Sequence, residues 1–226
     1  EAPLITPEEA YRELELHGRL SHVRIDGEFD LARLQAPAGT ERLTVTGVEI
    51  LGKLHSAGAG PAVALLIDDS TLHRIDLRDA RLRGGLAIEN SAVLSLARFD
   101  SAQFDGPFVL HGTVFEQKAT FRRARFGSSV EIVDCRFDEP EGARGGISFA
   151  DARFAGPASF NRSRFASDVS FESSRFEGDA SFLGLDAPGR ANWRNVAFAR
   201  DAEFRACRLG EVDFGDEKQM SVFAGL

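Results

Sequence analysis

The side chains able to do chemistry are few and scattered. Five histidines stand at His17, His22, His55, His73 and His111, with no HxxxH spacing and no carboxylate spaced to share a metal with them. They read as isolated surface or corner residues, so neither a metal nor a cofactor is expected. Two cysteines, Cys135 and Cys207, cannot make a disulfide framework and fit no zinc spacing. The chain holds no nucleophile elbow, no phosphate-cradling glycine loop and no dinucleotide fingerprint. Asp68-Asp69 is the one acidic pair that brings sugar-cleaving chemistry to mind. No enzyme is read from this set.

The arginines are more informative. Of 226 residues, 27 are basic and 35 acidic, a formal net charge of -8, and 24 of the basic residues are Arg. The acidic balance argues against direct nucleic-acid binding. At 43% apolar and 27% charged the chain is ordinary for a folded protein. No run approaches the 18 or so apolar residues of a membrane-spanning helix, so a membrane partner would act only through segments outside this sequence.

What must position these residues is a repeat. From Phe99 the large apolar residues fall at Phe104, Leu110, Phe115, Phe121, Phe126, Ile132 and Phe137, then resume at Phe149, Phe154, Phe160, Phe165, Phe171, Phe176 and Phe182. The steps alternate five and six. The rhythm runs back to Ile67, with one five-residue step replacing a six, and on to Phe214, and 16 of the 19 Phe keep it. A second column lies two residues earlier and is mostly small: Ala97, Ala102, Thr113, Ala119, Ala124, Val130, Cys135, Ala152, Ala158, Ser163. Residues two apart on one side signal extended chain.

An eleven-residue period also occurs in helical coiled coils. At about 100° per residue, however, these positions would surround a helix and leave no apolar face. Gly106-Pro107 and Gly156-Pro157 would sit inside it, at about 3 kcal/mol per proline. The remaining reading is a chain turning a corner every five or six residues, with four sides to a coil of about 22. Coils then stack as parallel strands about 4.8 Å apart. A coil filled by Phe leaves no groove for sugar chemistry, so Asp68-Asp69 reads as a corner. Cys135 and Cys207 fall three coils apart on one side, about 14 Å, too far for a disulfide, and both read as buried, inert thiols.

Ala97-Arg98-Phe99, Ala124-Arg125-Phe126, Ala152-Arg153-Phe154 and Ala158-Ser159-Phe160 resemble the pentapeptide-repeat family in its Phe-rich variant. The resemblance is specific over 65–214 and weaker over about 20–50. It implies an all-β solenoid, a right-handed quadrilateral parallel β-helix. The sixth residue in every second unit departs from the family pattern and is expected to loosen one corner type. The family implies a non-catalytic scaffold that mediates protein–protein interaction or spacing. Its gyrase-protecting branch, whose members imitate DNA, supplies the alternative. A rod of roughly 40 Å would replace DNA carrying about 23 charges, against a net -8 here. Gyrase therefore stays open as a partner but is not the first choice.

The ends and insertions complete the division. Residues 1–19 form a capping helix: Thr6-Pro7-Glu8-Glu9 is a capping box with an early proline, Tyr11 and Leu14 make an apolar stripe, and Gly18 is the stop. Residues 20–214 are the β-helix, with corner loops at about 51–62 and 139–145. Residues 215–226 lose the repeat and read as a C-terminal cap, a homodimer contact or the start of a further segment. Glu1-Ala2-Pro3 is compatible with a processed signal peptide or with a trimmed chain, which leaves localisation between export and the cytoplasm, the cytoplasm being preferred.

Position by position, Arg81, Gln103, Arg125, Arg153 and Arg175 should stack outward on one side, and Arg136, Arg164 and Arg208 on the opposite side, interrupted by Asp186. Like charges about 4.8 Å apart repel by about 0.9 kcal/mol in water, so carboxylates are expected among them. Ala155 and Ala166 leave Arg153, Arg162 and Arg164 the least compensated. These three, with His55, Glu141 and Arg144 on the two loops, are the expected contacts for another, unidentified protein.

Overall fold

A computed structural model describes residues 2–138 and 146–215. The chain winds into a four-sided parallel β-solenoid of nine coils. Its first face is a nine-stranded sheet: Arg19–Ser21, Arg42–Thr46, Ala64–Asp68, Leu86–Glu89, Phe108–His111, Val130–Val133, Ala158–Ser159, Ala180–Ser181 and Ala202–Glu203. The second face carries Val114–Phe115, Arg136–Phe137 and Arg164–Phe165, and the third Ala119–Thr120, Ile147–Ser148 and Val169–Ser170. Both belong to one 17-stranded sheet, because Glu49–His55 and Thr71–Asp76 run across the corner between them. The fourth face is the six-stranded sheet from Arg81–Leu82 to Ala197–Phe198.

The interior follows from the two apolar columns. Every large residue from Ile67 to Phe182 in the five–six rhythm is buried, and so are the small ones two positions earlier. Rings stack within a column at the strand spacing: Phe99–Phe121 and Phe121–Phe149 at 4.6 Å, Phe149–Phe171 at 5.0 Å, Phe171–Trp193 at 4.4 Å. Neighbouring columns meet edge to face, as Phe160 does with Phe171 at 89°. Ring edges meeting ring faces are the favoured arrangement of the aromatic quadrupole.

The alternation of fives and sixes defines two kinds of corner. Five-residue steps close the corners between faces one and two and between faces three and four. Each is a β-turn with its third residue at positive φ, the type II pattern: at Phe99–Ala102 the amide of Ala102 donates to the carbonyl of Phe99 at 3.1 Å, with Ser101 at φ 58°. All twelve non-glycine residues at positive φ among the described residues lie in these corners, Asp69 among them. Six-residue steps make most corners of the other, diagonal pair; Thr71–Asp76 instead runs across its corner with a five-residue step from Leu72 to Leu77. At the six-residue corners the backbones of successive coils press together, and a Cβ on Gly178 would lie 2.5 Å from the carbonyl carbon of Gly156.

The helix Pro7–His17 covers the first coil. Thr6 and Glu9 exchange capping bonds at 3.3 and 2.7 Å, and Gly18 ends the helix at φ 66°. Ala10 and Leu14 are its buried residues, while Tyr11 is half-buried and stacks on Phe29 at 5.0 Å. A strand not anticipated from sequence, Leu4–Ile5, precedes the helix and pairs with Arg24–Ile25.

One expected loop is shorter than its sequence range. Leu51–His55, placed in the loop of about 51–62, continues a strand: Lys53, Leu54 and His55 pair with Arg74, Ile75 and Asp76 across a bulge that follows Ile50. The bulge residues displace Leu54 from the rhythm while leaving it fully buried. Even Ala59 bridges Arg81, and the Gly60 amide donates to the Arg81 carbonyl at 2.8 Å. The loop of 139–145 and the terminal segment beyond Gly215 lie outside the described residues.

Candidate functional site

Because the axis is filled, every chemical group of interest lies on a face or a corner. The outward columns are set by strand register. On the fourth face they read Arg81, Gln103, Arg125, Arg153, Arg175, Ala197. On the second they read Arg136, Arg164, Asp186, Arg208. The third carries Thr120, Ser148, Ser170, Asn192 and Asp213. The first carries Leu66, Ala87, Val109, Glu131, Ser159, Ser181 and Glu203. No column among the described residues is continuously acidic.

The expected basic patch is not one patch, and it is not uncompensated. Arg153 and Arg164 lie on opposite faces, and Arg162 sits at the corner between faces one and two. Each has a carboxylate. Arg153 reaches Glu177 at 2.6 Å, Arg162 makes two bonds of 2.7 Å to Asp134, and Arg164 pairs with Asp186. The Arg162 guanidinium, by hydrogen bond and charge, holds the Asp134 carboxyl below its ordinary range. The partners come from the coil above or below: Glu177 directly follows the inward Phe176, whereas Asp134 and Asp186 do not follow a residue of the five–six rhythm and are found only once the coils are stacked.

His55 is half-buried and lies 3.4 Å from Glu28, which also faces Lys53 at 3.4 Å. It is four coils from the strands around Arg153, roughly 19 Å. The structure does not bring His55 together with the three arginines. Glu141 and Arg144 lie outside the described residues. Winding also creates histidine–carboxylate pairs that linear spacing hides: His73–Glu49 at 3.0 Å and His111–Asp134 at 3.5 Å. His73 and then Arg24, both hydrogen bonded to Glu49, hold that carboxyl low. No group of three His, Cys, Asp or Glu among the described residues could hold a metal.

Cys135 is buried, and burial pushes its thiol up to about 12. It belongs to a hydroxyl-rich column along the corner between faces one and two. Ser91 and Thr113 donate to the carbonyls of Glu89 and His111, and the Cys135 thiol does the same to Val133 at 3.4 Å. Cys207, expected to be buried as well, is half-buried because it lies in the last complete coil. Its thiol is also pushed up by burial.

The concavities are shallow grooves between faces and corners. One of about 600 Å³ runs between the N-terminal helix and the edge strand Arg19–Ser21. One of about 380 Å³ lies on the first face over Ser159 and Ser181, with Glu131, Asp179, Asp201 and Glu203 around it. A third, of about 450 Å³, follows the arginine column of the fourth face. Among the described residues, no serine lining the three grooves is hydrogen bonded to a histidine.

Four flat sides, an aromatic axis and two corner types define a quadrilateral β-solenoid assembled from five- and six-residue units. The chain resembles the pentapeptide-repeat proteins, and the family model for pentapeptide repeats, in nine copies, matches residues 144–184. Among solved structures it is similar to HetL, a pentapeptide repeat protein involved in heterocyst differentiation regulation from the cyanobacterium Nostoc sp. strain PCC 7120. The identity is 14%, covering 92% of this chain and 94% of that one, with a TM-score of 0.35. No curated protein matches the chain.

Proposed function

We propose that this protein is a rigid, non-catalytic scaffold whose flat faces bind or space other proteins. The observation that carries this reading is the division of labour within each coil. Inward positions close the axis with rings such as Phe104, Phe126 and Phe154, all buried. Outward positions repeat at strand spacing and present a different chemistry on each face. An enzyme concentrates convergent polar groups in a concave site, whereas this chain distributes them along flat columns. Such a rod gains affinity for a partner from several small contacts held in fixed register.

The test is affinity capture with the full chain from a lysate of its source, followed by reconstitution with the purified partner. A saturable complex, lost on charge reversal of one face and kept on reversal of the others, is expected. Titration into a gyrase supercoiling assay runs beside it. Stoichiometric effects there would replace this reading by the DNA-mimic alternative, which the interleaved charge of the described faces does not favour. Substrate turnover by the purified chain would overturn both.

A further inference from the structure

We infer that the arginine ladder Arg125–Arg153–Arg175 on the fourth face is a docking site for an extended acidic polypeptide segment, rich in Asp and Glu. The inference rests on the scaffold reading and names the face and the partner chemistry. The three residues are direct register neighbours on adjacent strands, and all are exposed. Their guanidinium groups therefore rise from one flat sheet at the interstrand spacing of about 4.8 Å.

What sets these three apart is the supply of carboxylates. Lower on the same face, Arg81 and Gln103 both bond to Asp105, at 2.9 and 2.8 Å. Gly127 and Ala155 occupy the equivalent places beside Arg125 and Arg153. Glu177 occupies it beside Arg175, but pairs with Arg153. Among the described residues Arg125 and Arg175 have no carboxylate within ion-pair distance. Three stacked cations thus share one paired carboxylate, in a chain whose net charge is -8.

The ladder also borders a groove of about 450 Å³ with a low floor. Ala152 and Ser173 line it, and Asp151 stands at its corner side. A single extended strand fits such a groove. Alternate residues on one side of an extended chain are about 6.7 Å apart, and the ladder spans about 9.6 Å between its outer rungs, so two carboxylates fall between three guanidinium forks. Arg and carboxylate pair in a planar, bidentate way that favours this geometry. Nucleic acid is the poorer occupant. Its denser charge meets a net-acidic rod, and no aromatic ring lines the groove for base stacking.

The experiment is fluorescence anisotropy of a labelled nine-residue peptide alternating Glu and Ser, titrated with the full chain at low salt. Saturable binding to one site is expected, weakening at least tenfold in the R125Q/R175Q variant and further when R153Q is added. The R136Q/R208Q variant on the opposite face should bind like the wild type, and a peptide with Gln for Glu should not bind. Circular dichroism melts confirm that each variant is folded. Absence of saturable binding, equal weakening by R136Q/R208Q, or tighter binding of an oligonucleotide of equal charge would each overturn the assignment. If a reconstituted protein partner binds R125Q/R175Q as tightly as wild type, the ladder is wrong while the scaffold reading stands.

Discussion

The rings of Phe149 and Phe160 meet edge to face, with centroids 5.3 Å apart and planes at 85°. Phe149 belongs to the column of Phe121 and Phe171, and Phe160 to that of Phe182, where the rings lie parallel. Each ring is therefore held by stacking along the axis and by edge contacts across it. A coil cannot slip past its neighbour without breaking both.

Truncating one of these rings tests the register directly. Phe160 is fully buried, so Phe160→Ala should destabilise the protein by about 3–5 kcal/mol in equilibrium urea unfolding. A loss on the order of 1 kcal/mol is the size of an ordinary substitution and would mean that the ring is not part of a packed axis.

The tight corners make a different demand. Ser101 sits at φ 58° in the turn that closes faces three and four, where a β-branched residue is a conformational outlier. Ser101→Val should cost about 1–2 kcal/mol, the penalty of the left-handed region for a residue with a Cβ, while Ser101→Gly should be tolerated. Equal thermal melts for the two variants would contradict the turn geometry.

The open corners depend on missing side chains instead. A Cβ at Gly178 would meet the Gly156 carbonyl carbon at 2.5 Å and its oxygen at 2.6 Å. Both belong to backbone, which yields less than a side chain. Gly178→Ala should lose about 1–3 kcal/mol, the usual range for overpacking. Gly39, which has nothing within 4 Å but stands at φ 79°, gives a comparison in which only backbone strain acts. The larger loss is expected at Gly178.

How much of this was legible depends on whether a feature repeats. The Phe columns and the small columns beside them could be followed by counting, because each coil reuses the same inward positions. The outward stacking of Arg125, Arg153 and Arg175 was equally visible. The pairing of charges was not. Arg162 finds Asp134 and His73 finds Glu49 only after the chain has gone once around, and between Asp134 and Arg162 the segment 139–145 lengthens the coil. Side chains as long as Arg also choose among several carboxylates within reach, a choice that no periodicity fixes. The strand Leu4–Ile5 was hidden because two residues paired with Arg24–Ile25 carry no pattern of their own.

Cys135 gives an alkaline test of the core. Burial raises its thiol to about 12 in the folded chain, against about 8.5 for a thiol in water. The folded state thus favours the neutral thiol. Its contribution is fully present below the unfolded value and declines as pH rises from about 9 towards 12, because the unfolded chain releases a proton that the folded chain retains. The slope is about 1.4 kcal/mol per pH unit in that window. Serine is the suitable replacement, since Ser91 and Ser163 occupy the same column and place their hydroxyls on backbone carbonyls. Urea unfolding at pH 8, 9.5 and 10.5 should show the wild type losing more stability than Cys135→Ser as pH rises. The difference between the two curves removes groups common to both, including Tyr11, whose hydroxyl is also pushed up by burial. Parallel curves would mean that solvent reaches the Cys135 thiol in the native protein, and that the column it shares with Thr113 and Ser163 is open.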